Sequence, residues 1–192
     1  MKSTEAITYT SIAVIVISLF FIGTELTGFA TGNGTGLVNV TISTSAEINF
    51  TTALLDFGVG AVTPGEIAIL NSEGTNTSWS GNATTGELVL ENIGNTNLTL
   101  QLVTDKSPDD FIGGTTPTFQ AKVANQSGNT GACTGTNIFS SYANINTTIQ
   151  SACGTFFGYE AALDEIIIDF SMNISDDAQG AKTVTITAVG TY

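Results

Sequence analysis

Short segments of alternating apolar and polar residues recur along the chain. The clearest alternation lies over residues 37–43, 87–93, 97–103, 165–174 and 182–190. A period of two places successive side chains on opposite faces of a strand, so each segment is predicted to be a β-strand with one buried face. Weaker strands are predicted over residues 48–57, 66–70, 119–123 and 138–142.

Turn residues separate these segments at the short spacing that antiparallel strands require. Typical pairs are Pro64 with Gly65 and Gly94 with Asn95. About eight to ten such strands predict an all-β fold, a single antiparallel β-sandwich of jelly-roll or immunoglobulin-like topology. Residues 107–154 have the least regular pattern and are predicted to form a long, irregular loop region. Residues 159–163 are the one segment predicted as a short helix.

An apolar run over residues 12–22 marks the N-terminal part of the chain. Its eleven residues fit the core of a signal peptide better than a membrane span, which needs about 20 residues. Gly28 and Ala30 then supply the small residues that cleavage before Thr31 requires. Two alternatives stay open: a retained membrane anchor over residues 7–29, and a pilin-type leader whose apolar helix is kept in a filament core. The predicted organisation is a hydrophobic leader helix over residues 1–30, a Gly-rich linker over 31–36 and the β-sandwich domain over 37–192.

The charge of the chain limits its partners. The chain has four basic and seventeen acidic residues and no histidine, so its net charge is -13. Such a surface repels phosphate backbones and anionic lipids, so we expect no nucleic-acid partner and membrane contact only through the N-terminal segment. Hydrophobic residues make up 42% of the chain and charged ones only 11%, so Ser, Thr, Asn and Gly must supply the polar surface, which is typical of exported β-rich proteins.

Two further features indicate an extracellular or cell-surface location. Eight Asn-X-Ser/Thr acceptors lie within residues 37–192, against roughly four expected at random, and they predict N-linked glycans. Cys133 and Cys153 are the only cysteines and are predicted to form a disulfide. A metal site or a nucleophilic thiol would need a histidine, which the chain lacks. The eight acceptors within residues 37–192 are Asn39, Asn49, Asn76, Asn82, Asn97, Asn125, Asn146 and Asn173.

Candidate catalytic and metal-binding groups are few. With neither histidine nor arginine, most hydrolase and transferase mechanisms lack their usual parts, so we expect no enzyme and no cofactor. A secreted hydrolase that uses paired carboxylates is the distant alternative. Calcium could be held by oxygen ligands around Ser175, Asp176, Asp177 and Gln179. The single tryptophan, Trp79, is predicted to be a core or interface aromatic rather than a platform for a sugar. The acid pairs are Asp109 with Asp110, Asp164 with Glu165, and Asp176 with Asp177.

Three segments together resemble the TasA and camelysin family of secreted matrix-fibre proteins. They are Leu-Asp-Phe-Gly at 55–58, Val-Thr-Pro-Gly-Glu at 62–66 and Leu-Val-Leu-Glu-Asn-Ile-Gly-Asn-Thr-Asn-Leu at 88–98. Archaeal bundling pilins are similar in plan. The resemblance implies jelly-roll subunits of a biofilm matrix or pilus, joined by donor-strand complementation, in which the N-terminal strand of one subunit completes the sheet of the next.

The segment behind the Gly-rich linker matches this plan. Val38, Val40 and Ile42 lie on one face of the predicted strand over residues 37–43. They could insert into an apolar groove of a neighbouring copy, where backbone hydrogen bonds would supply affinity and build a homopolymer. The strand could equally pair within its own domain. The sequence therefore predicts a structural subunit of an extracellular filament, with a singly displayed adhesion or binding module as the alternative.

Overall fold

The computed structural model describes residues 39–128, 130–158 and 163–192. The chain divides into two compact units, Met1–Ile42 and Ser43–Tyr192. The predicted leader helix, the Gly-rich linker and Val38 lie outside the described residues, as does most of the helix predicted over residues 159–163. In the first unit, residues 39–42 form no strand, so this part of the strand predicted over residues 37–43 is not found.

The described part of the second unit contains eleven strands and one short helix. In chain order they are β1 (Ile48–Thr52), β2 (Ile67–Asn71), β3 (Asn76–Thr77), β4 (Leu88–Asn92), β5 (Leu98–Thr104), α1 (Pro108–Phe111), β6 (Thr118–Asn125), β7 (Cys133–Thr134), β8 (Ala143–Asn144), β9 (Gln150–Phe156), β10 (Glu165–Ser175) and β11 (Ile186–Thr191).

The strands form two antiparallel sheets. In the seven-stranded sheet, β10 is central: it pairs with β6 on one side and with β4 and β2 on the other. Strands β1, β3 and β8 extend this sheet beyond β4, β2 and β6, respectively. The four-stranded sheet has the order β11-β5-β9-β7. The all-β, antiparallel class predicted from the sequence is confirmed.

One hydrophobic core is shared by the two sheets. Alternate residues of β5 and β10, such as Leu100 and Ile168, are fully buried and meet Phe139 and Phe156 in a single cluster. Burying an apolar side chain of this size contributes roughly 1.5–3 kcal/mol, so the alternating pattern drives the two sheets together. The strands predicted over residues 87–93, 97–103 and 165–174 are confirmed as β4, β5 and β10.

Other predictions differ from the structure in instructive ways. The strand predicted over residues 182–190 begins only at Ile186, and the one over 48–57 ends at Thr52. The strand predicted over 138–142 is wrong: Phe139 lies in a turn, where its N–H donates to the Asn137 side chain at 2.8 Å. Residues 107–154 are far more regular than predicted, because they contain α1, β6 and most of β9.

Strand β9 lies in the middle of the second sheet although its sequence does not alternate. It pairs with β5 and β7, and these long-range partners impose its extended conformation. Helix α1 has a local cause instead. Ser107 caps its N-terminus by accepting a hydrogen bond from the N–H of Asp110 at 3.2 Å, and Pro108 occupies the first turn, where it needs no donor.

Candidate functional site

Strands β1 and β11 are edge strands on the same side of the second unit. Among the described strands, β1 pairs with β4 alone and β11 with β5 alone. The two edges lie close together, because a Cβ placed on Gly190 of β11 would be 3.7 Å from the Cγ2 of Ile48 in β1. An edge strand keeps one row of backbone N–H and C=O groups outside its ladder. Another extended segment can therefore hydrogen-bond to either edge.

Apolar side chains line this side without being fully covered. Ile48 and Phe50 of β1 pack against the core together with Val184, Ile186 and Ala188 at β11. All five are half-buried, whereas Leu90 and Leu100 on the neighbouring strands β4 and β5 are fully buried. We call these five residues the open side. Its apolar surface can gain further burial from an added strand.

The chain enters β1 through a segment that is held to the β4–β5 turn. The N–H of Ser45 donates to the Asn95 side-chain oxygen at 2.7 Å, and the Asn95 side-chain amide donates to the carbonyl of Ser43 at 2.9 Å. Backbone bonds run from Asn95 N–H to Ser45 and from Gly94 N–H to Glu47. These contacts, the Asn95 clamp, hold residues 43–47 to the β4–β5 turn.

The predicted donor-strand residues fall just before the clamp. Val40 and Ile42 are each 82% exposed, and residues 39–42 form no strand. Leu54 at 80% and Val59 at 94% are as exposed as these two residues, so the feature that distinguishes Val40 and Ile42 is their spacing of two residues on one segment. A spacing of two residues would place Val40 and Ile42 on one face if this segment joined a sheet as a strand.

A buried asparagine lies just below this clamp, between the two sheets. Asn92 is fully buried at the end of β4, and its amide donates to the carbonyls of Thr96 at 3.0 Å and Phe156 at 3.2 Å. Its oxygen accepts from the N–H of Gly94 at 3.1 Å. Sequence reasoning did not single out this role. The signal was present in the Asn-Ile-Gly-Asn motif, where an asparagine ends an apolar strand.

The predicted disulfide is confirmed. Cys133 and Cys153 are bonded, with their Cα atoms 5.5 Å apart, and they connect β7 to β9. Constraining the unfolded chain in this way typically contributes 2–4 kcal/mol. The bond also fits an oxidising compartment.

The predicted glycan acceptors lie at the surface to different degrees. Asn76 is half-buried, and its amide donates to the carbonyl of Gly81 at 2.7 Å. Asn146 and Asn173 are also half-buried. The remaining five acceptors are exposed, so a glycan there would meet solvent. They are Asn39, Asn49, Asn82, Asn97 and Asn125.

The carboxylates proposed for calcium hold loops together. Asp177 accepts hydrogen bonds from the Ser175 hydroxyl and from the N–H and hydroxyl of Thr115, at 3.0 and 2.9 Å for Thr115. These bonds, that of Ser175 first, lower the pKa of Asp177. Asp176 accepts from the N–H of Gly65 at 2.7 Å. Within residues 39–128, 130–158 and 163–192, no group of three or more acidic or cysteine side chains is arranged to hold a metal. Calcium binding stays a prediction.

Trp79 lines a cavity of about 250 Å³ beside α1 and the end of β10. The indole is half-buried and packs against the core, as predicted for a core or interface aromatic. Glycines at 60 and 81 let two loops approach it, since a Cβ at either would lie within 2.6 Å of the indole nitrogen. That nitrogen has no hydrogen-bond partner in the described chain. Apolar and charged residues share the cavity wall, among them Phe111, Met172, Asp176 and Lys182.

The known proteins offer no match from which a function could be inferred, so a proposal of function rests on the geometry of the chain. No described helix is both long enough and apolar enough to cross a membrane. The chain matches no family model, no curated protein and no solved structure.

Proposed function

We propose that this protein is a structural subunit of an extracellular filament, pilus or biofilm matrix, assembled by strand exchange between copies. The donor is the segment over residues 37–43 of one copy, and the acceptor is the open side of the next. In this proposal the two sheets form a jelly-roll sandwich, the leader directs export, and N-linked glycans decorate the exposed acceptors. The membrane is contacted only through the N-terminal segment.

The observation that carries the proposal is that one exposed apolar segment and one incompletely covered pair of sheet edges match each other in spacing. Val40 and Ile42 expose an apolar face with a spacing of two residues, and Ile186 and Ala188 offer half-buried apolar positions with the same spacing. Two free strand edges, β1 and β11, flank those positions in the described chain. Full burial of each large aliphatic side chain would contribute roughly 1.5–3 kcal/mol, and the backbone ladder would add directionality.

The position of the donor on the chain favours a filament over a closed ring. Donor and acceptor are different surfaces of the same subunit, so the contact is head-to-tail and repeats without limit unless its rotation closes. The Asn95 clamp holds the point at which the donor joins its own domain, so the donor's reach is set by residues 37–43 themselves. The net charge of -13 makes subunits repel one another. High ionic strength screens this repulsion and should therefore favour assembly.

The first experiment places charge on one face of the donor. The variant Val40→Asp with Ile42→Asp should remain monomeric, because two carboxylates cannot enter an apolar groove. The matched control is Asn39→Asp with Thr41→Asp, which adds the same charge on the opposite face, outside the Asn95 clamp, and should still assemble. All proteins are produced without N-glycosylation and followed by light scattering and negative-stain electron microscopy.

Each outcome of this experiment decides a separate point. Fibres with a regular subunit repeat are expected for the unchanged protein and for the control. A wild-type chain that stays monomeric at high concentration and high salt would end the filament proposal. Normal fibres from the Val40→Asp, Ile42→Asp variant would leave a filament but reject the donor strand. A variant that lacks residues 37–43 should not assemble. A peptide with the sequence of residues 37–43 should bind to this variant and complete its sheet, whereas a scrambled peptide should not bind.

The alternative function is a singly displayed adhesion or binding module. The observation that favours it is the cavity beside Trp79, whose wall combines apolar side chains with Asp176 and Lys182. Because the chain has one tryptophan, its fluorescence reports this site directly. Persistent monomers whose emission shifts saturably on titration with simple sugars would support this function over the filament.

A further inference from the structure

A lysine and an aspartate face each other on the outer face of the seven-stranded sheet. Lys122 of β6 is the direct cross-strand partner of Asp169 in β10, and its Nζ lies 3.3 Å from the Asp169 Oδ2. Asp169 is only 4% exposed although it is charged. Among the lysines that the structure describes, only Lys122 pairs with carboxylates.

A second carboxylate reaches the same ammonium group. Glu73, just after β2, lies with its Oε1 2.5 Å from the Lys122 Nζ, and its Oε2 accepts the hydroxyl of Tyr142 at 2.9 Å. The Lys122 Nζ also lies 5.1 Å from the centre of the Tyr142 ring. The ammonium group thus contacts two carboxylates and an aromatic face, while the Lys122 and Glu73 side chains stay 22% and 47% exposed.

The two oxygens of Asp169 have different partners. Ser72 donates its hydroxyl hydrogen to Oδ1 at 2.8 Å, and the N–H of Phe170 donates to the Ser72 oxygen at 3.0 Å. Oδ2 instead faces Lys122. The site therefore holds an amine that becomes a nucleophile once it loses a proton, a buried carboxyl group, a hydroxyl donor on one carboxyl oxygen and a separate carboxylate that can move protons.

We propose that the Lys122 amine and the Asp169 carboxyl group condense to an amide that crosslinks β6 to β10. Glu73 is the group that transfers protons, and Ser72 stabilises the charge that develops on Oδ1. The reaction takes place once in each folded chain. It does not depend on the filament function proposed above.

The protons and bonds balance without a cofactor. Glu73 takes one proton from the ammonium group and passes it to Oδ2, leaving a neutral amine beside a carboxylic acid. The amine electron pair attacks the carboxyl carbon of Asp169, and the Ser72 hydroxyl holds the negative charge on Oδ1. Glu73 then moves a second proton from nitrogen to the Oδ2 hydroxyl. The carbon–Oδ2 bond breaks, one water leaves and the amide remains.

The resting state explains why the first proton transfer is the difficult step. Desolvation acts to lower the pKa of Lys122, but the hydrogen bond to Glu73 and the charge of Asp169 outweigh it and raise that pKa. The hydrogen bond from Lys122 in turn lowers the pKa of Glu73. The compensating factor is proximity: Nζ lies 3.3 Å from the Asp169 Oδ2, an oxygen of the carboxyl group that it attacks, and well-oriented groups in one molecule reach effective molarities of roughly 10⁵–10⁸ M.

Intact mass spectrometry of the full chain tests the proposal directly. The protein is produced without N-glycosylation, its disulfide is reduced, and its mass is compared with that calculated from the observed N-terminus. We expect the folded protein to be lighter by the mass of one water. Cleavage after lysine under denaturing conditions should then leave residues 107–182 in one fragment, also lighter by one water, because the linked Lys122 is no longer a cleavage site.

Two variants identify the atoms involved. Lys122→Arg keeps the positive charge but cannot form the amide, so its mass should equal the calculated value, whereas Lys106→Arg should still lose water. Glu73→Gln should form the crosslink far more slowly or not at all. Full mass in the wild-type chain, with fragments 107–122 and 123–182, would show an ion pair only and overturn the proposal. Water loss that persists in Lys122→Arg would also overturn it, and equal crosslinking in Glu73→Gln would reject the proton-transfer role.

Discussion

Replacing Asn92 by alanine removes the polar contacts between the end of β4 and strand β9 of the other sheet. The side chain is fully buried and donates to the carbonyls of Thr96 and Phe156 while accepting from the N–H of Gly94. The N–H of Gly94 keeps a partner, because it also donates to the carbonyl of Glu47 at 3.1 Å. Two hydrogen bonds are therefore lost without replacement.

The expected loss follows from those two bonds. Each contributes about 1 kcal/mol net, and the Phe156 carbonyl left without its side-chain donor in a buried position costs about 1–2 kcal/mol more. Asn92→Ala should lower the free energy of unfolding by about 3 kcal/mol, which corresponds to a shift of roughly 1–2 M in the urea midpoint.

Urea unfolding followed by circular dichroism measures this loss, with the disulfide intact in every sample. Asn95→Ala is the matched control, because it also removes two side-chain hydrogen bonds but from an exposed position where water replaces them. We expect less than about 1 kcal/mol for that variant. If the two variants lost the same free energy within about 0.5 kcal/mol, burial would not decide the strength of these bonds and the reasoning would be refuted.

Three further predictions concern the disulfide, pH and the tryptophan. Replacing both cysteines with serine should lower stability by about 3 kcal/mol, seen as a lower thermal midpoint, and an unchanged midpoint would count against it. The hydrogen bonds from Ser175 and Thr115 lower the pKa of Asp177 below its ordinary value of 3.8, so their contribution is present above that value and is lost as the pH falls through the lowered pKa. Hydrogen exchange at the Thr115 amide should therefore accelerate on acidification below 3.8, relative to an amide in the middle of a sheet. Gly81→Ala would place a Cβ 2.4 Å from the indole nitrogen, so it should destabilise by about 1–3 kcal/mol and shift the tryptophan emission.

Strands with a clear alternating pattern were predictable because burial of one face is a local property. The segment that became β10 places Ile166, Ile168 and Phe170 on one face, and all three are buried. The disulfide was equally predictable, since the two cysteines of the chain allow only one pairing. For β1 and β11 the existence of a strand was predictable but its ends were not, because pairing partners decide where a ladder stops.

Strand β9 and the turn at Phe139 show where local reasoning failed. Residues Gln150–Phe156 are mostly small or polar, and they become a central strand only because β5 and β7 pair with them. Residues 138–142 have an apolar composition, yet the Asn137 side chain holds Phe139 in a turn that delivers its ring to the core. Hydrogen bonds overrode composition in both cases, through long-range ladders at β9 and through a local side-chain bond from Asn137 at Phe139.

The sequence by itself determined the all-β class, the antiparallel strands with strong alternation and the single disulfide, because these depend on periodicity and on residue counts. Only the tertiary structure placed Lys122, Asp169 and Glu73 within hydrogen-bonding distance, and only it left β1 and β11 as neighbouring edges. The physical reason is that alternation in the sequence specifies which face of a strand is buried. Backbone hydrogen bonds are the same between any two strands, so they do not specify which strands pair. Which strands pair, and in which register, is decided by the packing of the whole core.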